Sequence, residues 1–292
     1  MTYCVAMQLD AGLVFLSDSR TNAGVDQVST ARKMTVFEQA GERLMVLMTA
    51  GNLAISQAVL QRLKFAPTDA IADGDTAPSL WNAANMHQAA QIVGDAVREV
   101  YARDAASLKQ FEIEFNVSII FGGQIGAERP RLFQIYAAGN FIEARPENTY
   151  FQIGESKYGK PIIDRVVTPA TALDEAAKCA LISMDSTLRS NVSVGMPLDL
   201  LVYEAGSLAV TRFSAIGADN QYFNMIHNTW GKRLKQVFQE IPDPSWGQTA
   251  DADLNGLVNG VTVQPVRATP RLTSPAELGA RPAPALQSLA QA

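Results

Sequence analysis

Thr2-Tyr3-Cys4-Val5-Ala6-Met7-Gln8-Leu9, then Asp10-Ala11-Gly12, then Leu13-Val14-Phe15-Leu16-Ser17-Asp18-Ser19-Arg20 opens the chain. Two apolar runs flank a short glycine-containing turn, which reads as strand, tight turn, strand. An aspartate and an arginine stand where the second strand ends, and Lys33 follows after a short loop. With Met1 removed, Thr2 carries a hydroxyl and a free α-amine on one residue. That amine has a reference pKa of about 8, low enough to act as a general base near neutrality. A threonine hydroxyl paired with its own N-terminal amine is an activated nucleophile. A small second residue by itself suits only methionine removal, so the reading depends on what surrounds Thr2.

The chain has 292 residues, of which 47% are hydrophobic and 18% charged, with a net charge of −5. This permits one sizeable core, or one domain plus an appendage. There is no basic footprint for nucleic acid. The two cysteines, Cys4 and Cys179, are too few for a disulfide framework and fall in apolar contexts, so both read as small core residues. The N-terminus lacks a basic region followed by a long apolar stretch, so neither a signal peptide nor a membrane span is expected, and the cytoplasm is the default compartment. His87 and His227 have no second ligand at helical spacing, so no metal or other cofactor is expected. No Gly-x-Ser-x-Gly, P-loop or dinucleotide fingerprint occurs.

Working outward, Lys33 to Phe37 and Arg43 to Ala50 read as strands around Glu38-Gln39-Ala40-Gly41, and Leu53 to Phe65 as a helix opened by Gly51-Asn52. A loop from Pro67 to Pro78 precedes an amphipathic helix from Leu80 to Leu108. Phe115 to Phe121 and Arg131 to Ala137 read as strands separated by Gly122-Gly123 and a polar turn, followed by short strands at Phe141 to Ala144 and Tyr150 to Ile153. Helices at Tyr158 to Val166 and Ala172 to Leu188 come next. Strands at Leu198 to Glu204 and Leu208 to Phe213 and a helix from Asn220 to Ile241 complete the order. Hairpin connections dominate, so the sheets are expected to be antiparallel, two of them face to face with helices outside. Half of the 14 prolines lie from Pro242 onward, so residues 242–292 read as a Pro/Ala-rich tail without a packed core; Leu257 to Val263 is its one strand candidate.

Thr2, the run Ser17-Asp18-Ser19-Arg20-Thr21-Asn22-Ala23-Gly24, Lys33, and Thr49-Ala50-Gly51 resemble a proteasome β-type subunit of the N-terminal-nucleophile hydrolases. Met1-Thr2-Tyr3-Cys4-Val5 and Ser190-Asn191-Val192-Ser193-Val194-Gly195-Met196-Pro197 resemble the bacterial Anbu (ancestral β-subunit) family in particular. The resemblance covers residues 2–241 and implies a four-layer αββα sandwich. It implies a threonine-type peptidase with Thr2 as nucleophile and base, Lys33 lowering the hydroxyl's pKa, Asp18 fixing Lys33, Gly51 donating to the oxyanion, and Ser193 near the Thr2 amine. By the same analogy Thr21, Ala31, Thr35, Thr49 and Leu53 line a substrate pocket suited to an apolar or neutral residue. Gly195 is expected to give its loop backbone freedom.

The chain departs from the proteasome pattern at Ser190, where an aspartate is typical, and at Glu155, where a hydroxyl is typical; Ser156 is a near substitute. The resemblance further implies a ring-like or coiled homo-oligomer that encloses its active threonines and acts on peptides or proteins; it assigns no unfoldase. Only Met1 precedes Thr2, so methionine removal would suffice for maturation. The altered positions leave open a second reading, a catalytically weak or inactive proteasome-like assembly serving as a scaffold.

Overall fold

A computed structural model describes residues 2–23, 27–65 and 77–244. The chain divides into two units, Met1–Ile241 and Pro242–Ala292. The expected tail from Ser245 on, with its strand candidate, and most of the Pro67–Pro78 loop lie outside the described residues.

Strands β1 (Tyr3–Leu9) and β2 (Gly12–Asp18) form the hairpin read from the opening residues. The short strands β3 (Arg20–Ala23) and β4 (Gln27–Thr30) pair only with each other. Next come β5 (Met34–Gln39), β6 (Arg43–Gly51), α1 (Leu53–Lys64) and α2 (Met86–Gln110). Four strands follow: β7 (Val117–Ile125), β8 (Arg131–Ile135), β9 (Phe141–Glu143) and β10 (Tyr150–Gly154). The order ends with α3 (Lys160–Val166), α4 (Leu173–Ser190), β11 (Leu198–Glu204), β12 (Arg212–Ile216) and α5 (Gln221–Glu240). One five-stranded sheet has the order β10-β1-β2-β11-β12 and the other β5-β6-β7-β8-β9. Every strand pairing is antiparallel.

Both faces of the central strands are covered, which is why they read as unbroken apolar runs rather than alternating ones. Alternation sorts the residues all the same. Tyr3, Val5 and Met7 of β1, with Val14 and Leu16 of β2, pack against Ile163, Met184, Phe223 and other residues of α3, α4 and α5. Cys4, Ala6, Leu13 and Phe15 face the opposite way and meet Leu44, Val46, Met48, Ile120 and Leu132 of the second sheet. Met45, Leu47, Ile119 and Phe121 turn outward beneath α1 and α2. The result is the expected α+β sandwich of four layers, αββα. Each fully buried large side chain contributes about 1.5–3 kcal/mol, and Phe15, Phe121 and Phe133 are among those with no exposure.

Several boundaries differ from the sequence reading. Strand β7 runs through Gly122 and Gly123, which pair with Val46 and Met45, instead of ending at Phe121. A Cβ at Gly122 would lie 2.8 Å from Leu132 and 3.2 Å from Phe15, so glycine here admits close sheet contact rather than a turn. Helix α2 begins six residues later than Leu80, because the Asn85 side chain accepts the Gln88 N–H and caps it there. Leu80 is fully buried in a preceding turn whose carbonyl accepts a hydrogen bond from Arg43. Strand β12 starts at Arg212, not Leu208: Leu208 has a φ of 44°, and its segment crosses toward the other sheet, where its carbonyl accepts the Gly41 N–H.

Candidate functional site

The site forms where β2 ends. At Ser19 the strand breaks: its N–H goes to the Gly195 carbonyl and its hydroxyl to the Pro197 carbonyl at 2.6 Å. The chain then leaves the sheet as β3, and the break presents the Asp18 carboxylate to four donors. Oδ1 accepts the Tyr3 N–H at 2.9 Å and Lys33 Nζ at 2.5 Å. Oδ2 accepts the N–H groups of Gly195 at 3.1 Å and Arg20 at 3.2 Å. A carboxylate has about four lone-pair positions, and here each has a donor. Such satisfaction is what makes a charge tolerable at 0% exposure.

Lys33, one residue before β5, is 7% exposed at its side chain. It donates to Asp18 and, at 2.7 Å, to the Arg20 carbonyl. An ammonium has three donors, and among the described residues no hydrogen bond takes the third. The same Asp18 oxygen holds both Lys33 and the N–H of the residue after Thr2, so the cation is fixed close to the head of β1.

Thr2 itself is nearly buried, at 9% exposure. Its carbonyl accepts the Glu155 N–H at 2.7 Å. Gly154, with a φ of 80°, passes so near that a Cβ there would lie 1.9 Å from the Thr2 carbonyl oxygen. Behind it the Tyr3 hydroxyl, bonded to Ser183 and Gln152 at 2.8 and 2.7 Å, anchors β1 to the helix layer; burial raises its pKa well above the ordinary phenol range. The start of the strand is thus held at backbone and side chain alike.

Thr2 opens on a cleft of about 490 Å³ lined also by Thr21, Ala50, Gly51, Asn52, Leu53, Asn116, Ser118, Gly154 and Glu155. Gly51 ends β6 with a φ of 106°, and a Cβ on it would lie 2.5 Å from the Asn116 carbonyl. Asn52 caps α1 by accepting the Ala54 N–H, and the first turn of the helix carries no acid. The positive end of the α1 dipole therefore faces the cleft beside Gly51, an arrangement that favours a developing oxyanion.

Thr2, Asp18, Lys33 and Gly51 are brought together. For Ser193, the backbone N–H donates to Asn191 Oδ1, and among the described residues no hydrogen bond joins it to Thr2. The loop instead reaches the site through the Gly195 N–H. Gly195 is small to make room, not to bend: a Cβ would fall 2.2 Å from Arg20 Nε, and Arg20 Nη1 donates to the Val192 carbonyl. Ser190 is exposed at the end of α4, and Glu155 rather than Ser156 lines the cleft. The five expected pocket residues do not line one pocket. Ala31, Thr35, Thr49 and Leu53 line an adjoining cleft of about 760 Å³, while Thr21 stays with Thr2. Arg32 and Lys64 also line that larger cleft, so it is not uncharged.

Sequence reasoning missed Asn116 and Ser118, whose polar side chains at the start of an otherwise apolar strand were the available signal, and quoted Arg20 without giving it a role. The two cysteines are buried, and burial raises both thiols, Cys179 to about 11, so neither is a thiolate nucleophile at neutral pH.

No protein-family model and no curated protein matches the chain. Solved structures do. An Anbu (Gly-1) mutant from Hyphomicrobium sp. strain MC1 is 50% identical, over 84% of this chain and 99% of its own, with a TM-score of 0.77. Anbu from Yersinia bercovieri is also 50% identical, over 84% and 100%, with a TM-score of 0.77. Anbu from Pseudomonas aeruginosa, seen as a helical assembly, is 46% identical over 84% and 99%, with a TM-score of 0.77.

Proposed function

Since the chain belongs to the Anbu family of proteasome β-subunit relatives, we propose that it is a threonine-type amide hydrolase acting on peptides, with Thr2 as nucleophile after loss of Met1. The observation that carries this reading is the Asp18 carboxylate, which joins Lys33 to the residue following Thr2. Thr2 Oγ attacks the substrate carbonyl carbon while the Thr2 α-amine takes the hydroxyl proton. The Lys33 ammonium favours the alkoxide-like form by Coulombic attraction. Gly51, at the positive end of α1, faces the developing oxyanion. The α-ammonium returns the proton to the leaving amine as the C–N bond breaks, and water then hydrolyses the ester on Thr2. By extension from the helical assembly of the Pseudomonas aeruginosa relative, the chain associates with copies of itself and so restricts access to Thr2.

The test is intact mass followed by exposure to a small electrophile selective for N-terminal threonine. The purified protein should lack Met1 and gain one adduct, and Thr2→Ala should gain none. Lys33→Ala should slow labelling and hydrolysis by about a hundredfold or more while assembly persists. Turnover near wild type in Lys33→Ala, or full activity with Met1 attached, would refute the mechanism.

The second reading, a scaffold of low activity, draws on Ser190 and Glu155, the two positions that depart from the proteasome pattern. Loss of Met1 with no adduct under any electrophile would select it.

A further inference from the structure

Glu155 is the only charged side chain among the residues lining the Thr2 cleft. Its side chain is 13% exposed and lines the cleft. Among the described residues no hydrogen bond reaches that carboxylate. Its nearest cation, Lys157 Nζ, stands 3.7 Å away on a side chain 70% exposed. An exposed, loosely placed ammonium of this kind contributes little. Beside the cleft Asp18 and Lys33 are bonded to each other at 2.5 Å, which leaves the Thr2 α-amine, once Met1 is lost, as the other ionisable group facing it.

A partly buried carboxylate at the cleft wall is open to a cationic donor brought by a ligand. Its place is set firmly, because the Glu155 N–H is bonded to the Thr2 carbonyl at 2.7 Å and Gly154 pairs with Tyr3 in the sheet. The side chain therefore projects from a backbone locked to the nucleophile itself. We propose that Glu155 is a specificity-determining residue that receives a cationic group of the substrate next to the scissile bond, either a basic side chain or a free amine. This rests on the reading of Thr2 as nucleophile and deepens it. Where a proteasome-type hydroxyl would be neutral, this carboxylate selects by charge: it attracts an ammonium or guanidinium and repels an acid.

The experiment measures protection of Thr2 from a small uncharged electrophile, read by intact mass, so it needs no turnover. Competing peptides are identical except for Lys, norleucine or Glu placed in turn at each position. A second set of norleucine peptides carries a free or an acetylated N-terminus. In the wild type, the Lys peptide or the free amine should protect at about tenfold lower concentration than the Glu or acetylated counterpart; which set does so identifies the cation. In Glu155→Gln, which keeps the backbone bond to Thr2, the difference should collapse to near onefold, and Glu155→Lys should invert it.

Equal protection by all peptides in a wild type that labels normally would overturn the inference and leave Thr2 as nucleophile. A charge preference that survives in Glu155→Gln would also overturn it. So would an unchanged preference with a shifted pH dependence of labelling, which would assign the carboxylate to the Thr2 amine. Absence of labelling by any electrophile would sink the nucleophile and this inference together.

Discussion

Two buried carboxylates pair with the neighbouring cations Lys33 and Arg32, and their surroundings set them apart. Asp18 has four donors. Asp199, paired with Ser17 across β2 and β11, has Arg32 alone at 2.6 Å, and the Arg32 side chain is 57% exposed against 3% for Asp199. Burial holds the Asp199 carboxyl above the usual carboxylate range, with Arg32 pulling it back. An acid whose folded-state pKa is raised favours the folded state when protonated. That contribution is fully present below the unfolded-state value and is lost as pH rises through the folded-state value. Asp199→Asn, uncharged throughout, should therefore match or exceed the wild-type thermal midpoint at neutral pH. The gap should close as pH falls through the carboxylate range. A variant several degrees less stable at neutral pH would mean that the Arg32 pair outweighs the cost of burial. At this scale Asp18 and Lys33 were legible through the resemblance of their motifs to the proteasome β-type pattern. Glu155 was visible only as a departure, because nothing local says which way its side chain turns.

At the level of elements, caps and turns explain most of the boundary differences. Asn85 supplies the side-chain cap of α2, accepting the Gln88 N–H at 2.9 Å. Asn85→Ala should cost about 1 kcal/mol and, for a domain of this size, lower the thermal midpoint by about 2–4 °C. A scanning calorimetry trace unchanged within error would assign the helix start to packing of Met86 instead. The hairpin β3–β4 escaped sequence reading because strands of four polar and small residues carry no period that distinguishes them from a loop. Gly122-Gly123 reads as a turn in one dimension. Only the approach of Phe15 from the facing sheet reveals it as a contact.

At the level of the molecule, the three apolar clusters draw on residues between Tyr3 and Ile226, with partly buried neighbours in the same span. A chain ending at Trp246 should accordingly keep its thermal midpoint and the rate at which Thr2 is labelled. A large loss of stability, read by the same melting experiment, would make the segment beyond it a structural element. By itself the sequence determined the order and type of the long elements and the antiparallel sandwich, which follow from apolar runs and turn residues. The grouping of Thr2, Asp18 and Lys33 it offered only through the resemblance of their motifs to a known family. Only the tertiary structure decided that Asp18 closes a ring of donors from β1, the Arg20 backbone, Lys33 and the Gly195 loop. It also decided that the expected pocket residues are divided between two adjoining clefts that share Leu53, and that Glu155 lines the Thr2 cleft. The reason is distance along the chain. Gly195 meets Asp18, and Glu155 meets Thr2, across separations of 177 and 153 residues, and no local periodicity encodes which backbone atoms will meet there.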